Sequence, residues 1–173
     1  MTIYVKYNLH ELAFGFDSFD EIKNYNNVVY IDCSCNNLTS LPNFPNSLIE
    51  LDCSYNQLTE LPKLPNSLIE LYCSYNQLIL LPKLPNGLNR LYCSYNKLTS
   101  LPKLSNELTI LHCFTNQLTI LPEFPKNILL KHYRNSIFYR CITFDDPPEY
   151  IKYYNNKFIK KQSYKYLKVI VDL

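Results

Sequence analysis

The sequence predicts a mainly β protein in which short coils stack into a solenoid and their strands form one parallel sheet. Five cysteines recur at intervals of 20 residues without any insertion, which indicates an internal repeat. The positions leading to each cysteine alternate between apolar and variable residues, as in a strand with one buried face. The 173 residues contain 2 glycines and 11 prolines, which excludes glycine-rich phosphate loops and disfavours long helices. The repeated cysteines are Cys33, Cys53, Cys73, Cys93 and Cys113.

The repeated unit covers residues 28–127 in five copies, and we number its positions from 1 to 20. Positions 1, 4, 11, 14 and 17 are apolar in every unit, so we expect their side chains to point inward. Burying one leucine contributes about 1.5 to 3 kcal/mol, and stacked units share a core that one unit could not form. The units begin at Val28, Leu48, Leu68, Leu88 and Leu108.

Each unit is expected to contribute one short strand at positions 4 to 6, paired in parallel with the strands of neighbouring units. An asparagine occupies position 9, where the chain must turn inward after the strand. Because an amide both donates and accepts hydrogen bonds, we expect these asparagines to form a buried ladder that binds backbone groups of adjacent turns. The asparagines are Asn36, Asn56, Asn76, Asn96 and Asn116.

The second half of the unit predicts an extended or polyproline-like segment on the convex side. Its pattern is Leu-Pro-x-Leu-Pro-Asn, as in residues 61–66. Two prolines three residues apart cannot lie inside a helix, and each favours extended geometry for the residue before it. The convex side is therefore expected to contain no helix.

The pattern Leu-x-x-Leu-x-Cys-x-x-Asn-x-Leu, which runs from Leu68 to Leu78 in the third unit, resembles a leucine-rich repeat. The short period and the Leu-Pro-x-Leu-Pro-Asn-Ser-Leu segment are similar to the repeats of bacterial effector proteins, including secreted ubiquitin ligases. The Cys-Ser-Tyr-Asn segments also resemble repeats of leucine-rich proteins from giant DNA viruses of amoebae. The resemblance covers 100 of the 173 residues. It implies a leucine-rich-repeat solenoid with a short parallel sheet on its concave side, but it implies no chemistry.

Residues 1–27 are expected to cap the N-terminal end of the sheet, because an unpaired strand edge invites association. Alternating residues from Thr2 to Tyr7 predict a strand in this cap. The spacing of Ser18 and Glu21 predicts a short helix that continues through Lys23 and Asn24.

Residues 128–173 are expected to contain a degenerate sixth repeat and a C-terminal cap. In the sixth repeat His132 replaces the cysteine, while apolar residues keep the spacing of the unit. Apolar residues at helical spacing predict a Lys- and Tyr-rich helix within residues 149–171. Residues 168–171 could instead close as a strand.

The strongest candidate site is the outward face of the strands, where the side chains at positions 3, 5, 7 and 8 repeat across the sheet. Carboxylates dominate the first units and tyrosines the later ones, and tyrosine is enriched at protein interfaces. Alternatively, duplicated units share these tyrosines, which only stabilise the sheet by cross-strand stacking. The candidate partner-binding residues are Tyr30, Asp32, Glu50, Asp52, Tyr55, Glu70, Tyr72, Tyr75, Arg90, Tyr92, Tyr95 and His112.

We therefore expect a non-enzymatic module that binds a protein partner with a basic surface through its concave face. By resemblance, the repeats could instead select substrates for a ubiquitin ligase whose catalytic domain lies on a separate partner. A third alternative is a nucleic-acid or anionic-surface binder that uses the basic segment from Lys152 to Lys168. A solvated cap is the simpler role for that segment.

No cofactor, metal site or catalytic pair is predicted. The cysteine column contains no Cys-x-x-Cys pair and lies in one layer, so its thiols are expected to be core side chains and not metal ligands. His112 and Cys113 are neighbours in a strand and point to opposite faces, so they cannot act as a base and its nucleophile.

The sequence also predicts a cytoplasmic location, or the host cytoplasm for a viral protein. The longest aliphatic run, from Leu78 to Leu81, is too short for membrane insertion. Seven cysteines are an odd number, which favours reduced thiols inside a cell.

Overall fold

Seven strands of the computed structural model form a single sheet in the order β2-β1-β3-β4-β5-β6-β7. The structure describes residues 1–113 and 115–119. Strands β1 (Ile3–Lys6) and β2 (Phe14–Phe16) come from the N-terminal segment, and each unit adds one further strand. These further strands are β3 (Tyr30–Asp32), β4 (Glu50–Asp52), β5 (Glu70–Tyr72), β6 (Arg90–Tyr92) and β7 (Ile110–His112).

Strands β3 to β7 run parallel, with residues of equal position side by side, which confirms the predicted pairing. The constant period of the units explains the constant register, because each strand is reached after the same length of chain. The strands occupy positions 3 to 5 and end one residue before the predicted last residue, the cysteine. The cysteine still extends the ladder, since the N–H of Cys53 donates to the carbonyl oxygen of Tyr72 at 2.8 Å.

The apolar positions of the unit form the core, as predicted. Side chains at positions 1, 4 and 6 are between 0% and 2% exposed in all five units. The cysteine column therefore belongs to the core, where Sγ of Cys53 donates to the carbonyl oxygen of Tyr72 at 3.4 Å. Leu38, Leu41 and Phe44 of the first unit are half-buried, because only the N-terminal cap lies on their outer side.

The asparagines at position 9 form the predicted ladder. Nδ2 of Asn76 donates to the carbonyl oxygens of Cys53 and Cys73 at 2.9 and 3.2 Å. Its Oδ1 accepts from the N–H of Leu58 at 3.0 Å. Asn76 thus joins two consecutive units, and the same pair of bonds to cysteine carbonyls is made by Asn56, Asn96 and Asn116. The first asparagine, Asn36, differs from the prediction, because it is half-buried and its side chain bonds to Thr2 of the N-terminal segment.

The convex side is extended and contains no helix in the described units, which confirms the prediction from the prolines. A hydrogen-bonded turn precedes each new strand. In the second unit the N–H of Leu68 donates to the carbonyl oxygen of Pro65 at 3.2 Å, and Oγ of Ser67 donates to that of Leu48 at 2.6 Å. The exposed lysines of this side are Lys63, Lys83 and Lys103.

The N-terminal segment caps the sheet with an antiparallel hairpin. Strand β1 matches the predicted strand and pairs with both β2 and β3, whereas β2 was not predicted. Thr2 takes the place of a further repeat beside the asparagine ladder. Its N–H donates to Oδ1 of Asn36 at 2.9 Å, and its carbonyl oxygen accepts from Nδ2 of the same residue at 2.8 Å.

The helix predicted from Ser18 and Glu21 is wrong in its extent and in its capping. One 3₁₀ turn covers Phe19–Glu21 and a second covers Tyr25–Asn27. Ser18 makes no side-chain capping bond, and the Glu21 carboxylate accepts instead from the N–H of Asp17 at 3.1 Å. The first turn stops because Ile22 becomes extended to bury its side chain in the core.

The predicted sixth repeat and C-terminal helix, within residues 128–173, lie outside the described residues, so the domain boundaries stay predictions. In the part of the chain that the structure describes, no helix is long and apolar enough to cross a membrane.

Candidate protein-binding site

The candidate site is the sheet face formed by positions 3 and 5 of the units, which we call the concave face. In every unit the residue at position 4 is buried, while its two neighbours in the strand are partly or fully exposed. The predicted alternation is therefore confirmed over these positions. The position 3 row is Tyr30, Glu50, Glu70, Arg90 and Ile110, and the position 5 row is Asp32, Asp52, Tyr72, Tyr92 and His112.

Strand β1 extends both rows beyond the first unit. Tyr4 lies opposite Asp32, and Lys6 lies opposite Tyr30. Nζ of Lys6 sits 5.0 Å from the centroid of the Tyr30 ring, within range of a cation–π interaction. Sequence reasoning missed these two residues as part of the site, although the alternation from Thr2 onward was the signal that a strand was present.

Aromatic rings at position 5 stack along the sheet. The Tyr72 and Tyr92 rings have centroids 4.7 Å apart and planes 10° from parallel, and His112 follows at 4.6 Å with a tilt of 60°. The tyrosine spacing matches the separation of neighbouring strands, about 4.8 Å. Ring faces therefore cover each other, and ring edges and hydroxyl groups are left for other contacts.

Position 8 carries a second tyrosine stack, but its place differs from the prediction. We expected its side chains on the strand face, whereas position 8 lies in the turn after the strand with a positive φ of 53° to 57° in all five units. Backbone bonds hold this conformation, as where the N–H of Tyr55 donates to the carbonyl oxygen of Ser74 at 3.0 Å. The Tyr55, Tyr75 and Tyr95 rings stack at 4.3 and 4.2 Å.

Position 7 was predicted to face outward, but its described serines are buried or half-buried. Ser54 is 9% exposed and Ser94 is 2% exposed, because the chain has already begun its inward turn at this point. In the first two units the preceding carboxylate helps to fix this turn. Oδ1 of Asp52 accepts from the N–H of Ser54 at 2.9 Å, and Oδ1 of Asp32 accepts from the N–H of Ser34 at the same distance.

Charge is balanced at one end of the concave face and unbalanced at the other. Arg90 and Glu70 form an ion pair at 3.0 Å. No cation among the described residues lies within ion-pair distance of Asp32, Glu50 or Asp52. Burial, followed by repulsion from Glu70, raises the pKa of Glu50, although attraction by Lys6 and Arg90 opposes this rise. Burial also raises the pKa of Asp52, with a smaller contribution from Asp32. These carboxylates would be stabilised by a cation brought from outside.

Tyr30 and Tyr72 of the concave face keep their protons at neutral pH. Burial raises the pKa of Tyr30 to about 12, and the carboxylates of Asp32 and Glu50 add to the shift. Burial also raises the pKa of Tyr72, whose hydroxyl donates to Oε2 of Glu70 at 2.7 Å. The hydroxyl groups of these two tyrosines are therefore neutral, and that of Tyr72 is already bonded to Glu70.

The substitution Asp52→Asn is expected to raise the free energy of unfolding at neutral pH by about 0.5 kcal/mol, because it removes the cost of burying this carboxylate and, to a smaller extent, its repulsion from Asp32 on the adjacent strand. Since the folded-state pKa of Asp52 is raised, the folded chain takes up this proton more readily than the unfolded chain. The destabilisation by the charged carboxylate therefore fades as pH falls through the folded-state pKa, and the gain of the variant should fade with it. Urea unfolding of the variant and of the unchanged protein, from neutral to acidic pH, measures the gain in free energy of unfolding and its dependence on pH. A gain that does not depend on pH, or a loss at neutral pH, contradicts this prediction.

No group of three or more His, Cys, Asp or Glu side chains in the described part of the chain is arranged to hold a metal ion. Asp32 and Asp52 hold their carboxylates toward backbone N–H groups, and Glu70 holds its carboxylate toward Arg90. The chemistry that this face offers is noncovalent contact, through rings, hydroxyl groups and carboxylates.

Comparisons with known proteins agree with this geometry. A family model described as Leucine Rich Repeat matches residues 47–68. The solved structure of YopM from Yersinia enterocolitica WA-314 is 43% identical with a TM-score of 0.55, and the match covers 56% of this chain and 21% of that one. A Shigella effector LRR domain is 39% identical with a TM-score of 0.58, covering 60% and 47%. YopM from Yersinia pestis, a leucine-rich effector protein, is 38% identical with a TM-score of 0.58, covering 60% and 29%.

The stacked strands, the asparagine ladder and these matches define the fold, which is a leucine-rich-repeat solenoid. More particularly, its repeats are similar to those of bacterial effector proteins, and the chain spans less than half the length of the three chains it matches. No curated protein sequence matches the chain. None of the three structures is of a viral protein, so the resemblance to proteins of giant DNA viruses stays a prediction.

Proposed function

We propose that the protein is a non-enzymatic binding module that recognises a protein partner with a basic surface through its concave face, in the cytoplasm of a cell or of a host cell. The observation that carries this proposal is the combination of stacked, accessible tyrosines with unneutralised carboxylates on neighbouring strands. Such a face offers contact area and charge at once, and the fold holds both in a fixed arrangement.

The tyrosine stacks support the proposal because they are ordered before any partner arrives. The rings of Tyr72 and Tyr92 already hold each other within 10° of parallel. A side chain that is fixed in the free protein loses little conformational freedom on binding, which improves affinity. Tyrosine is also one of the residues that most often dominates the binding energy of interfaces.

The carboxylates support a basic partner. Asp32, Glu50 and Asp52 are half-buried and form no ion pair among the described residues. Covering them with an apolar or acidic surface would remove their remaining hydration without compensation. Lysine or arginine side chains would compensate them, and they would also speed encounter between the two proteins by electrostatic attraction.

The structural matches support a role in protein interaction, because they are leucine-rich effector proteins and repeat surfaces commonly bind other proteins. The alternative role as the substrate-selecting arm of a ubiquitin ligase stays a prediction. The alternative role as a nucleic-acid binder also stays a prediction, since its basic segment lies outside the described residues.

The test begins with affinity capture from cytoplasm to identify a partner, followed by calorimetric titration of that partner. Replacing Tyr72 and Tyr92 together by alanine is expected to weaken binding about 30-fold or more, because two adjacent anchors are lost. The matched control replaces Lys63 and Lys83 by alanine on the convex side, where both are exposed. The control should bind like the unchanged protein.

Circular dichroism of the tyrosine variant shows whether the fold is retained. Unchanged binding by a folded Tyr72→Ala, Tyr92→Ala variant would remove the concave face from the function. Equal weakening by the lysine control would place the contact on the other side of the solenoid.

A further inference from the structure

The tyrosine stack at position 8 ends in an open ring face. Tyr75 is stacked on both faces, by Tyr55 and by Tyr95, whereas Tyr55 is stacked on one face only. The corresponding residue of the first unit is Cys35, whose side chain is much smaller than a ring. No ring or cation of the described residues covers the outer face of Tyr55. The sequence change at this position therefore leaves a gap about one ring thick.

The exposed fractions agree with this description. Tyr55 is 54% exposed and Tyr75 is 39% exposed, so exposure rises toward the open end of the stack. Cys35 is also exposed, so its side chain does not close the gap to solvent. A planar group from a partner can therefore enter it and stack on the ring.

Two carboxylates are held toward the turn that carries this gap. Asp32 lies three residues before Cys35, and Asp52 lies three residues before Tyr55. Each uses Oδ1 to accept from the N–H two residues later at 2.9 Å, which directs the carboxylate toward position 8 of its own unit. The Asp32 carboxylate also interacts with the Tyr30 hydroxyl and that of Asp52 with the Ser54 side chain, and a carboxylate has lone pairs for additional donors beyond these contacts. The gap thus combines an aromatic face with two anions that have no cation of their own among the described residues.

We propose that this gap, which we call the arginine slot, binds the guanidinium group of an arginine on the protein partner. The slot consists of the outer face of Tyr55, the space above Cys35, and the carboxylates of Asp32 and Asp52. The inference rests on the proposed function and deepens it, because it names the side chain by which the basic partner is recognised.

Arginine fits this slot better than lysine for a geometric reason. Its guanidinium is planar, so it can continue a stack whose members are 4.2 to 4.3 Å apart. Its N–H groups point outward in the plane of the stack, where they can donate to carboxylate oxygens at the edge of the slot. A lysine ammonium has no planar face and gains only the point-charge attraction.

The test uses the full chain and the probe peptide acetyl-Gly-Arg-Gly-amide, titrated while assigned tyrosine ring signals are followed by NMR. The peptide is expected to shift the Tyr55 signals. Tyr55→Leu should weaken its binding about fivefold or more, because the stacked cation–π contact is lost. A peptide with citrulline in place of arginine has nearly the same shape without the charge and should bind about fivefold or more weakly as well.

The matched control is Tyr95→Leu, which removes the tyrosine at the other end of the same stack. The unit of Tyr95 has Tyr92 at position 5, whereas the unit of Tyr55 has the carboxylate of Asp52 there. Because Tyr95 is not part of the slot, Tyr95→Leu should leave peptide binding unchanged. A second variant, Cys35→Tyr, fills the slot with a fourth ring. The backbone accepts it because φ is 57° at Cys35 and 55° at Tyr55. In this variant the peptide should no longer shift the Tyr55 signals.

Three results would overturn the inference: Tyr55 signals that do not respond to the arginine peptide, equal binding of the citrulline peptide, or equal weakening by Tyr95→Leu. The captured partner separates this inference from the proposed function. If the partner is lost on replacing Tyr72 and Tyr92 but not on Tyr55→Leu, the arginine slot fails while the concave face remains the binding surface. If the peptide binds at Tyr55 but the partner ignores the substitutions at Tyr55, Tyr72 and Tyr92, the proposed function fails, and the slot binds arginine without serving that partner.

Discussion

Replacing Asn76 by alanine is expected to lower the free energy of unfolding by about 3 to 5 kcal/mol. The amide of Asn76 donates to two cysteine carbonyls and accepts from the N–H of Leu58, a residue whose side chain is fully buried. Alanine leaves the N–H of Leu58 without a partner, while the carbonyl oxygens of Cys53 and Cys73 each keep one bond, from Asn56 and Asn96. The unpaired N–H costs about 1 to 3 kcal/mol, and each of the two other lost hydrogen bonds costs about 0.5 to 1.5 kcal/mol.

Urea unfolding followed by circular dichroism measures this loss. The control is Gln57→Ala, which removes an exposed amide at position 10 of the neighbouring unit and should change the free energy by less than about 0.5 kcal/mol. Equal effects of the two substitutions would mean that the ladder contributes nothing beyond an ordinary surface amide. That result would contradict the structural role assigned to position 9.

Replacing Leu71 by alanine is the second large perturbation, with an expected loss of about 2 to 5 kcal/mol. Leu71 is 0% exposed in the centre of β5 and lies between Leu51 and Leu91 in the register of the sheet. Removal of its side chain leaves a cavity that both neighbouring units line, so the loss of packing is shared by three units. Because the sheet is built from three-residue strands, few other contacts can compensate.

The matched control is Ile69→Ala, two residues earlier in the same unit, where the side chain is 41% exposed. It removes a side chain of equal size from the surface and should lower the free energy of unfolding by about 1 kcal/mol or less. Similar losses for Leu71 and Ile69 would indicate that position 4 is not the centre of the core.

The period of the sequence was sufficient to predict the fold of the repeats. A 20-residue unit without insertions fixes the register of the strands, and the prolines exclude helix from the convex side. The asparagine ladder was predictable for the same reason, since Asn76 and its equivalents stand where the backbone otherwise lacks partners. These features depend on short-range geometry that every unit repeats.

Other features of the site depend on contacts that no repeat encodes. The pairing of Tyr4 with Asp32 needs an antiparallel strand brought back from outside the repeats, so the extension of the concave face by β1 was missed. The alternation of a strand predicts outward side chains only while the strand continues. Each strand of the units ends just before the cysteine. Ser54 therefore turns inward, and Tyr55 lies in a turn with positive φ. An isolated unit gives no signal for either change.

Photo-crosslinking to the captured partner tests the central claim most directly. The photoreactive residue p-benzoylphenylalanine is introduced in place of Tyr92 on the concave face, and in a second protein in place of Lys63 on the convex side. The concave position is predicted to yield a covalent adduct with the partner, and the convex position is predicted to yield none. Adducts from position 63 together with none from position 92 would contradict the claim that the tyrosine and carboxylate face is the binding surface.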